Sequence, residues 1–197
     1  PICMILRERR CMVSRASALF TNYKIGSTKV NDKVSLSFKE IRDLDIKQVA
    51  AWPSTIEIID SQLAKIIDNS NAPRFNQSLS NNDKHILRIE PLKWWLIGGD
   101  NIEITSEEGS VVDLSHAFAM IEIQGDSVRD FLNRHLPLDL RDHSFPINYV
   151  ASSSIHHVSI KIWRTNQGYR LFIPRGFALS IWEILLETAS QFGYEIL

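Results

Sequence analysis

Residues 111–146 read VVDLSHAFAMIEIQGDSVRDFLNRHLPLDLRDHSFP, and the succession of patterns in them decides the fold. A short apolar run ends in Asp113-Leu114-Ser115-His116. A strand is expected over 119–124, because Ile121 and Ile123 fall on one face and Glu122 and Gln124 on the other, the two-residue period of a half-buried strand. Gly125-Asp126 breaks it. Asp126 is suited to cap a helix over 127–135, its carboxylate accepting from the first free amides. Val128, Phe131, Leu132 and His135 recur at helical spacing and give that helix one apolar face. Pro137 stops it, and the run Leu138 to Pro146 has no period, as a structured loop would not.

Toward the C-terminus, Val158, Ile160 and Ile162 alternate with Ser159 and Lys161, predicting a strand over 157–163. Thr165-Asn166-Gln167-Gly168 turns the chain into a second strand over 169–173. Pro174-Arg175-Gly176 then precedes a helix over 177–192 with Phe177, Ile181, Ile184, Leu185 and Phe192 on one face and Gly193 at its end. Toward the N-terminus, a strand over 47–52 is stopped by Pro53. Ser54-Thr55-Ile56-Glu57 reads as a capping box opening a helix over 54–68 with the stripe Ile56, Ile59, Leu63, Ile66, Ile67. Asn69 to Asp83 is the most loop-like interior stretch. Strands over 86–97 follow, broken at Glu90-Pro91 and ended by Gly98-Gly99, and a short strand is expected over Ile102 to Thr105 before the acidic turn Glu107-Glu108-Gly109. Adjacent residues of a strand point to opposite faces. Of Trp94 and Trp95, then, one is expected in the core and the other under a helix or at an interface, not as a pair stacked on a ligand.

The same order of elements occurs twice: strand 47–52, helix 54–68 and strands 86–97, then strand 119–124, helix 127–135, strands 157–163 and 169–173 and helix 177–192. The repeat lies in element order, not in residue identity. Two strand–helix–hairpin units predict an α+β fold, antiparallel sheets with helices packed on one face. The divisions expected are a basic N-terminal extension over 1–33, a first unit over 34–110 and a second over 111–197, the two forming one compact domain over 34–197.

The chain has 197 residues, 44% of them hydrophobic, ample for a core, and a net charge of −1 that gives no reason to expect nucleic acid or an anionic membrane as partner. The charge is uneven. Residues 1–29 hold Arg7, Arg9, Arg10, Arg15, Lys24 and Lys29 against Glu8, a net of +5 that leaves −6 for the remainder. This extension lacks periodicity and is expected to be a tail that orders against a partner, a transit or anchoring segment being the other reading. The only cysteines, Cys3 and Cys11, lie in it, which excludes a disulfide-stapled core and fits a reducing cytoplasm. No apolar run approaches the roughly 20 residues that span a bilayer.

Several of these segments together resemble the gamma (small) subunit family of heterotetrameric sarcosine oxidase. The resemblance is carried by Ile41-Arg42-Asp43-Leu44, Gln48-Val49-Ala50-Ala51-Trp52-Pro53, Pro91 with Trp95-Leu96-Ile97-Gly98, and Val112-Asp113-Leu114-Ser115-His116. It continues through Ile123 to Gly125, Leu138-Asp139-Leu140 with Phe145-Pro146, Trp163-Arg164, and the run from Phe172 to Glu183. The chain departs from the family at Asn148 to Ser153. What the resemblance implies is a fold similar to aminomethyltransferase-type folate-binding domains and a non-catalytic subunit packed against alpha, beta and delta subunits. The implied cofactors (FAD, FMN, NAD, tetrahydrofolate and zinc) then belong to those partners, with none in this chain. The complex would convert sarcosine to glycine and pass the methyl carbon to tetrahydrofolate. An N-methylglutamate dehydrogenase of similar layout, and a stand-alone folate-binding protein, are the alternatives.

The residues are consistent with a chain that carries no catalytic, cofactor or metal site. Ser115 and His116 are neighbours that an extended segment would point apart. His85, His116, His135, His143, His156 and His157 lack metal-ligand spacing, and His156-His157 in a strand would diverge. Gly98-Gly99 lacks the rest of a dinucleotide fingerprint. Asp113, Asp139 and Asp142 suit turns and caps, or else interface contacts. Partner contact is expected at the loop 138–146, through Leu138, Leu140, Arg141 and Phe145, together with the basic tail, because apolar residues ringed by charge make a specific interface. The alternative is that Leu140 and Phe145 plug the chain's own core. Two or three tryptophans (among Trp94 or Trp95, Trp163 and Trp182) lie near element ends and are expected to be only half buried in the isolated chain, a reason to expect an obligate hetero-oligomer.

Overall fold

The computed structural model describes residues 16–99 and 101–197. Twelve strands and three helices follow in the order β1 (Gly26–Thr28), β2 (Leu36–Ile41), β3 (Ile46–Ala51), α1 (Ile56–Ile66), β4 (Ser78–Asn81), β5 (Lys84–Glu90), β6 (Lys93–Ile97), β7 (Gly109–Asp113), β8 (Phe118–Gln124), α2 (Val128–Asn133), β9 (Val150–Ile155), β10 (Val158–Arg164), β11 (Tyr169–Pro174), α3 (Ala178–Ala189) and β12 (Tyr194–Ile196), with a 3-10 turn over Arg175–Phe177 before α3. The smaller sheet has the order β4-β5-β6-β3-β7, the larger β1-β12-β2-β8-β11-β10-β9. All pairings are antiparallel except β12 with β2.

Strand alternation builds four layers from these sheets. On β8, Ile121 and Ile123 point to one side, where they pack with Phe131 of α2 and Ile181, Trp182 and Leu185 of α3. Met120 points to the other, against Trp95, Trp163 and Phe172 between the two sheets. The smaller sheet buries Val49, Ile86, Trp94 and Leu96 under Ile59 and Leu63 of α1. The order is therefore helix, sheet, sheet, helix, and the expected α+β architecture with helices on one face of each sheet holds. Among the described residues no helix is long and apolar enough to cross a membrane.

The repeat is fuller than the sequence pattern indicates. β3-α1-β4-β5-β6 and β8-α2-β9-β10-β11 are both strand, helix and three-stranded meander, and in each sheet the strands stand in the same order, β4-β5-β6-β3 and β9-β10-β11-β8. Each meander begins with a strand that the pattern did not predict. Half of the residues of β4 (SLSN) and β9 (VASSSI) are serines, and the state of these strands is set by the strand beside them, not by their own periodicity.

Unit boundaries also move. β2, expected in the first unit, pairs with β8 of the second, while β7, which straddles the expected boundary between residues 110 and 111, closes onto β3 of the first. The N-terminal extension does not end at residue 33 as a separate piece. β1 lies on the C-terminal strand β12, and Leu19 is fully buried in the helix-side core. Tyr23 stacks on Trp182 at 5.5 Å and its hydroxyl donates to the Leu197 carbonyl at 2.6 Å.

Local corrections are smaller. Neither expected cap forms. Thr55 sits at the start of α1, but its hydroxyl accepts from the Trp52 amide at 3.1 Å and bonds the Glu108 carbonyl, tying helix to sheet. α2 starts after Ser127, one residue later than Asp126 would cap, and Ser127 makes no side-chain cap bond. Ile102 to Thr105 forms no strand, although Ile102 and Ile104 pack on the α1-side core. His156 and His157 are not in a strand. Both have positive φ (44° and 69°) and make the two-residue turn joining β9 to β10. Trp94 and Trp95 behave as expected, one under α1 and one between the sheets.

Candidate partner interface

The loop 138–146 is latched to the body from both ends. Leu140 and Phe145 are 1% and 4% exposed and belong to the chain's own core. The Phe145 ring stacks on Tyr169 at 6.3 Å. Arg164, its side chain only 14% exposed, lies over the Tyr169 ring at 5.7 Å, donates to the Phe145 carbonyl and pairs with Asp142, which Arg129 reaches from α2 at 2.9 Å. Leu138 is half-buried against the same core.

Two of the four residues expected to contact a partner, Leu140 and Phe145, are thus unavailable for it. The reason is geometric: the loop folds back over β10 and β11 after Pro137, and apolar residues at its base find core before they find a partner. Arg141 is exposed but not uncommitted. It grips Asp139 through Nε at 2.8 Å and a terminal nitrogen at 2.7 Å, and Ser144 donates to the same carboxylate at 2.7 Å. These donors hold the Asp139 carboxyl well below the usual carboxylate range, the Arg141 side chain contributing most. What the loop offers outward is a charged crest of Arg141, Asp142 and His143.

The basic tail, the other half of that expected contact, falls largely on residues 1–15, outside the described residues, as do Cys3 and Cys11. Where the description starts, Ala16 to Ala18 form one wall of a cavity of about 260 Å³ that also takes in Glu40, Arg42, Ser115 and Arg175. The tryptophans expected at half burial (one of Trp94 and Trp95, with Trp163 and Trp182) are all core, and Trp94, Trp95, Trp163 and Trp182 are at most 2% exposed. They supply no exposed aromatic patch, and that argument for an obligate oligomer lapses. Trp52, 47% exposed, is the exception among the five.

Ser115 is structural, as expected. It is buried, its hydroxyl accepts from the Ile46 amide at 3.0 Å and its own amide donates to Asp113 at 2.8 Å, which also shows Asp113 in a turn role. Asp139 likewise accepts from the amide two residues on, at 3.1 Å.

The departure at Asn148 to Ser153 falls where the two sheets are stitched together. The Asn148 carbonyl accepts from the Ser78 amide at 2.8 Å and from its hydroxyl at 3.0 Å, Val150 donates to Asn76, and Gln77 and Tyr149 form a bridge. Beside this seam Trp163, Arg170 and Glu122 stand in one row across β10, β11 and β8. Arg170 pairs with buried Glu122 at 2.7 Å and lies over Trp163 at 5.0 Å, and His85 packs on the other edge of that indole. Burial depresses the pKa of His85, with Arg170 adding to the shift. This network joins the sheets. Among the described residues no group of three His, Cys, Asp or Glu is placed to hold a metal.

The surface that sequence reasoning missed is β7. Val111 and Val112 are both exposed, at 38% and 47%, on a strand whose outer edge is unpaired among the described residues. The signal in the sequence was the pairing of two adjacent valines with an acidic run.

No protein-family model matches the sequence. Among curated proteins, the chain is 27% identical over 90 residues to a sarcosine oxidase subunit gamma from Corynebacterium sp. (strain P-1), covering 45% of this chain and 44% of that one. It is 28% identical over 91 residues to one from an Arthrobacter species, covering 46% and 45%. Each match thus spans a little under half of the relative. Among solved structures, the fold matches a chain of heterotetrameric sarcosine oxidase from Corynebacterium sp. U-96 with a TM-score of 0.75 at 18% identity, over 90% of this chain and 96% of that one. It also matches glycine cleavage system aminomethyltransferase T from Bartonella henselae with a TM-score of 0.57 at 14% identity, over 84% of this chain and 48% of that one. The chain is therefore similar in sequence to sarcosine oxidase gamma subunits, and in fold to a chain of the heterotetrameric enzyme and to half of an aminomethyltransferase.

Proposed function

We propose that this chain is the gamma-type, non-catalytic subunit of a heterotetrameric oxidase that demethylates sarcosine to glycine and passes the methyl carbon to tetrahydrofolate. Two comparisons that rest on different information carry the reading. Identity to proteins named as gamma subunits and fold likeness over nearly a whole chain of the heterotetramer point to one complex. In this reading the partners are alpha, beta and delta subunits in the cytoplasm, and FAD, FMN, NAD, tetrahydrofolate and zinc are theirs. The gamma-type chain contributes packing surface. The four-layer core, closed around its own tryptophans and its own 138–146 loop, suits a scaffold that folds first and docks afterwards.

Co-expression with the three other subunit types tests this. The chain is expected to co-purify with them in equal amounts, and the complex to oxidise sarcosine while the chain alone does not. A chain that stays a monomer in the presence of all three would overturn the reading. Turnover of N-methylglutamate in place of sarcosine by the assembled complex would move it to the related dehydrogenase.

A further inference from the structure

The outer edge of β7 is where the internal repeat is incomplete. β2 stands against β8 as β7 stands against β3, antiparallel and in the same position in the strand order. Beyond β2 the larger sheet goes on to β12 and β1, whereas among the described residues the smaller sheet stops at β7.

Backbone parity shows what that edge presents. The Trp52 amide donates to Glu108 at 3.3 Å and the Leu114 amide to Ile46 at 2.8 Å, one at each end of the β3–β7 ladder. In an antiparallel pair the bonded residues alternate, so even-numbered residues of β7 bond to β3 and Gly109, Val111 and Asp113 turn their backbone outward. The Gly109 amide is taken by the Thr105 carbonyl. Among the described residues the Val111 amide and carbonyl have no such partner.

Side chains carry the same message. Val111 lies opposite Val49 on the α1 side and Val112 opposite Gln48 on the other, so apolar groups flank the open edge on both faces. Proteins ordinarily guard an edge with lysine, proline or a bulge. From Glu103 to Asp113 the sequence EITSEEGSVVD has none of these and carries four acids with no Lys, Arg or His. Two copies paired along this edge would bring eight carboxylates together, which argues against self-association.

We infer that β7 is a docking edge that takes an extended, basic, β-branched segment of a partner subunit as an added strand in the position β12 fills in the other sheet. This rests on the subunit reading above. The acidic flank selects the charge of the segment, the Val111 backbone supplies the hydrogen bonds, and Val111 and Val112 supply apolar contact on either face.

Val111→Pro tests it, because proline at an outward-facing position removes the edge donor without touching the bonds to β3. Val111→Thr keeps the donor and serves as control. In the four-subunit co-expression, Val111→Pro is expected to lower recovery of the chain with a tagged partner subunit at least tenfold, Val111→Thr to leave it near wild type, and Glu107→Lys to lower it severalfold. Hydrogen exchange at the Val111 amide, fast in the free full-length chain, is expected to slow at least tenfold in the wild-type complex. Full recovery of Val111→Pro beside wild type would overturn the edge while leaving the subunit reading intact. Failure of wild type to co-purify would overturn both. Protection of Val111 in the free chain that disappears on deleting residues 1–15 would make this chain's own tail the occupant, and a dimer by light scattering that Val111→Pro dissociates would make it a second copy. Either result overturns the partner segment.

Discussion

The indole N–H of Trp163 donates to the hydroxyl of Ser78 at 2.8 Å, and through that bond the last-but-one strand pair of the larger sheet is tied to the edge strand of the smaller. Ser78 passes the contact on to the Asn148 carbonyl, so one hydroxyl holds β4, β10 and the segment leading into β9 together. Ser78→Ala leaves a buried indole N–H without a partner, which costs about 1–3 kcal/mol. The unfolding free energy from urea titration is expected to fall by that much with the m-value unchanged. Trp163→Phe in the Ser78→Ala background is expected to add less than in wild type, because the two residues share one interaction.

Glu122 and Arg170 make the second tie. Glu122 is 5% exposed and its other oxygen accepts from Gln124 at 2.8 Å, so Arg170→Met strands a carboxylate inside the fold. Breaking a buried pair from one side costs about 3–5 kcal/mol, and partial exposure of Arg170 puts this case at the lower end. The double variant Glu122→Gln, Arg170→Met is expected to recover part of that loss, and chemical denaturation of all four species gives the comparison.

The 138–146 loop separates core from surface within a few residues. Phe145→Ala is expected to destabilise the isolated chain by about 3–5 kcal/mol and Leu140→Ala by about 2–5 kcal/mol, as core truncations do. Arg141→Glu is expected to leave the thermal midpoint of the isolated chain unchanged, since its partner Asp139 is solvated. Differential scanning calorimetry of the three variants decides the matter. An unfolding temperature equal to wild type for Phe145→Ala would contradict the core placement.

Two histidines contribute to the acid response between about pH 5 and 8. Burial depresses the pKa of His85, and burial with neighbouring His156 and Arg134 depresses that of His135. A histidine harder to protonate in the folded state than in the unfolded one leaves the unfolded state binding more protons just below the ordinary value near 6.5. Stability is therefore expected to be level above about pH 7 and to decline as the pH falls from about 6.5 toward 5. His135→Phe, which keeps the edge contact with Phe131 at 5.2 Å, is expected to flatten part of that decline. Unfolding midpoints measured between pH 5 and 8 check the sign.

Gly125 turns the end of β8 with φ of 121°, and a Cβ there would stand 2.2 Å from the Ser35 carbonyl oxygen. Gly125→Ala combines a clash with a backbone conformation that side chains disfavour, a loss of about 1–3 kcal/mol from the conformation alone. Urea unfolding is expected to show at least that loss, with the β2–β8 pairing weakened first in hydrogen exchange.

Much of the secondary structure is determined locally and was legible. Ile121 and Ile123 against Glu122 and Gln124 announced β8, the Ile56-to-Ile67 stripe announced α1, and Thr165-Asn166-Gln167-Gly168 announced the β10–β11 turn, because alternation and helical spacing are properties of a short run of residues. The opposite facing of Trp94 and Trp95 followed from the same rule. Only tertiary structure decided which sheet each strand joins. Leu36–Ile41 joins the sheet of the second unit, and Gly109–Asp113, astride the boundary, that of the first, because a strand's edge bonds to whichever backbone the topology brings alongside, and no residue in the strand encodes that choice. Ser78–Asn81 and Val150–Ile155 were illegible for the same reason, their polar side chains giving no pattern until a neighbour supplied the ladder. The fate of Leu140 and Phe145 was likewise nonlocal. An apolar residue between charges reads alike at an interface and at the base of a latched loop, and Arg164 and Tyr169, far along the chain, bring both inside.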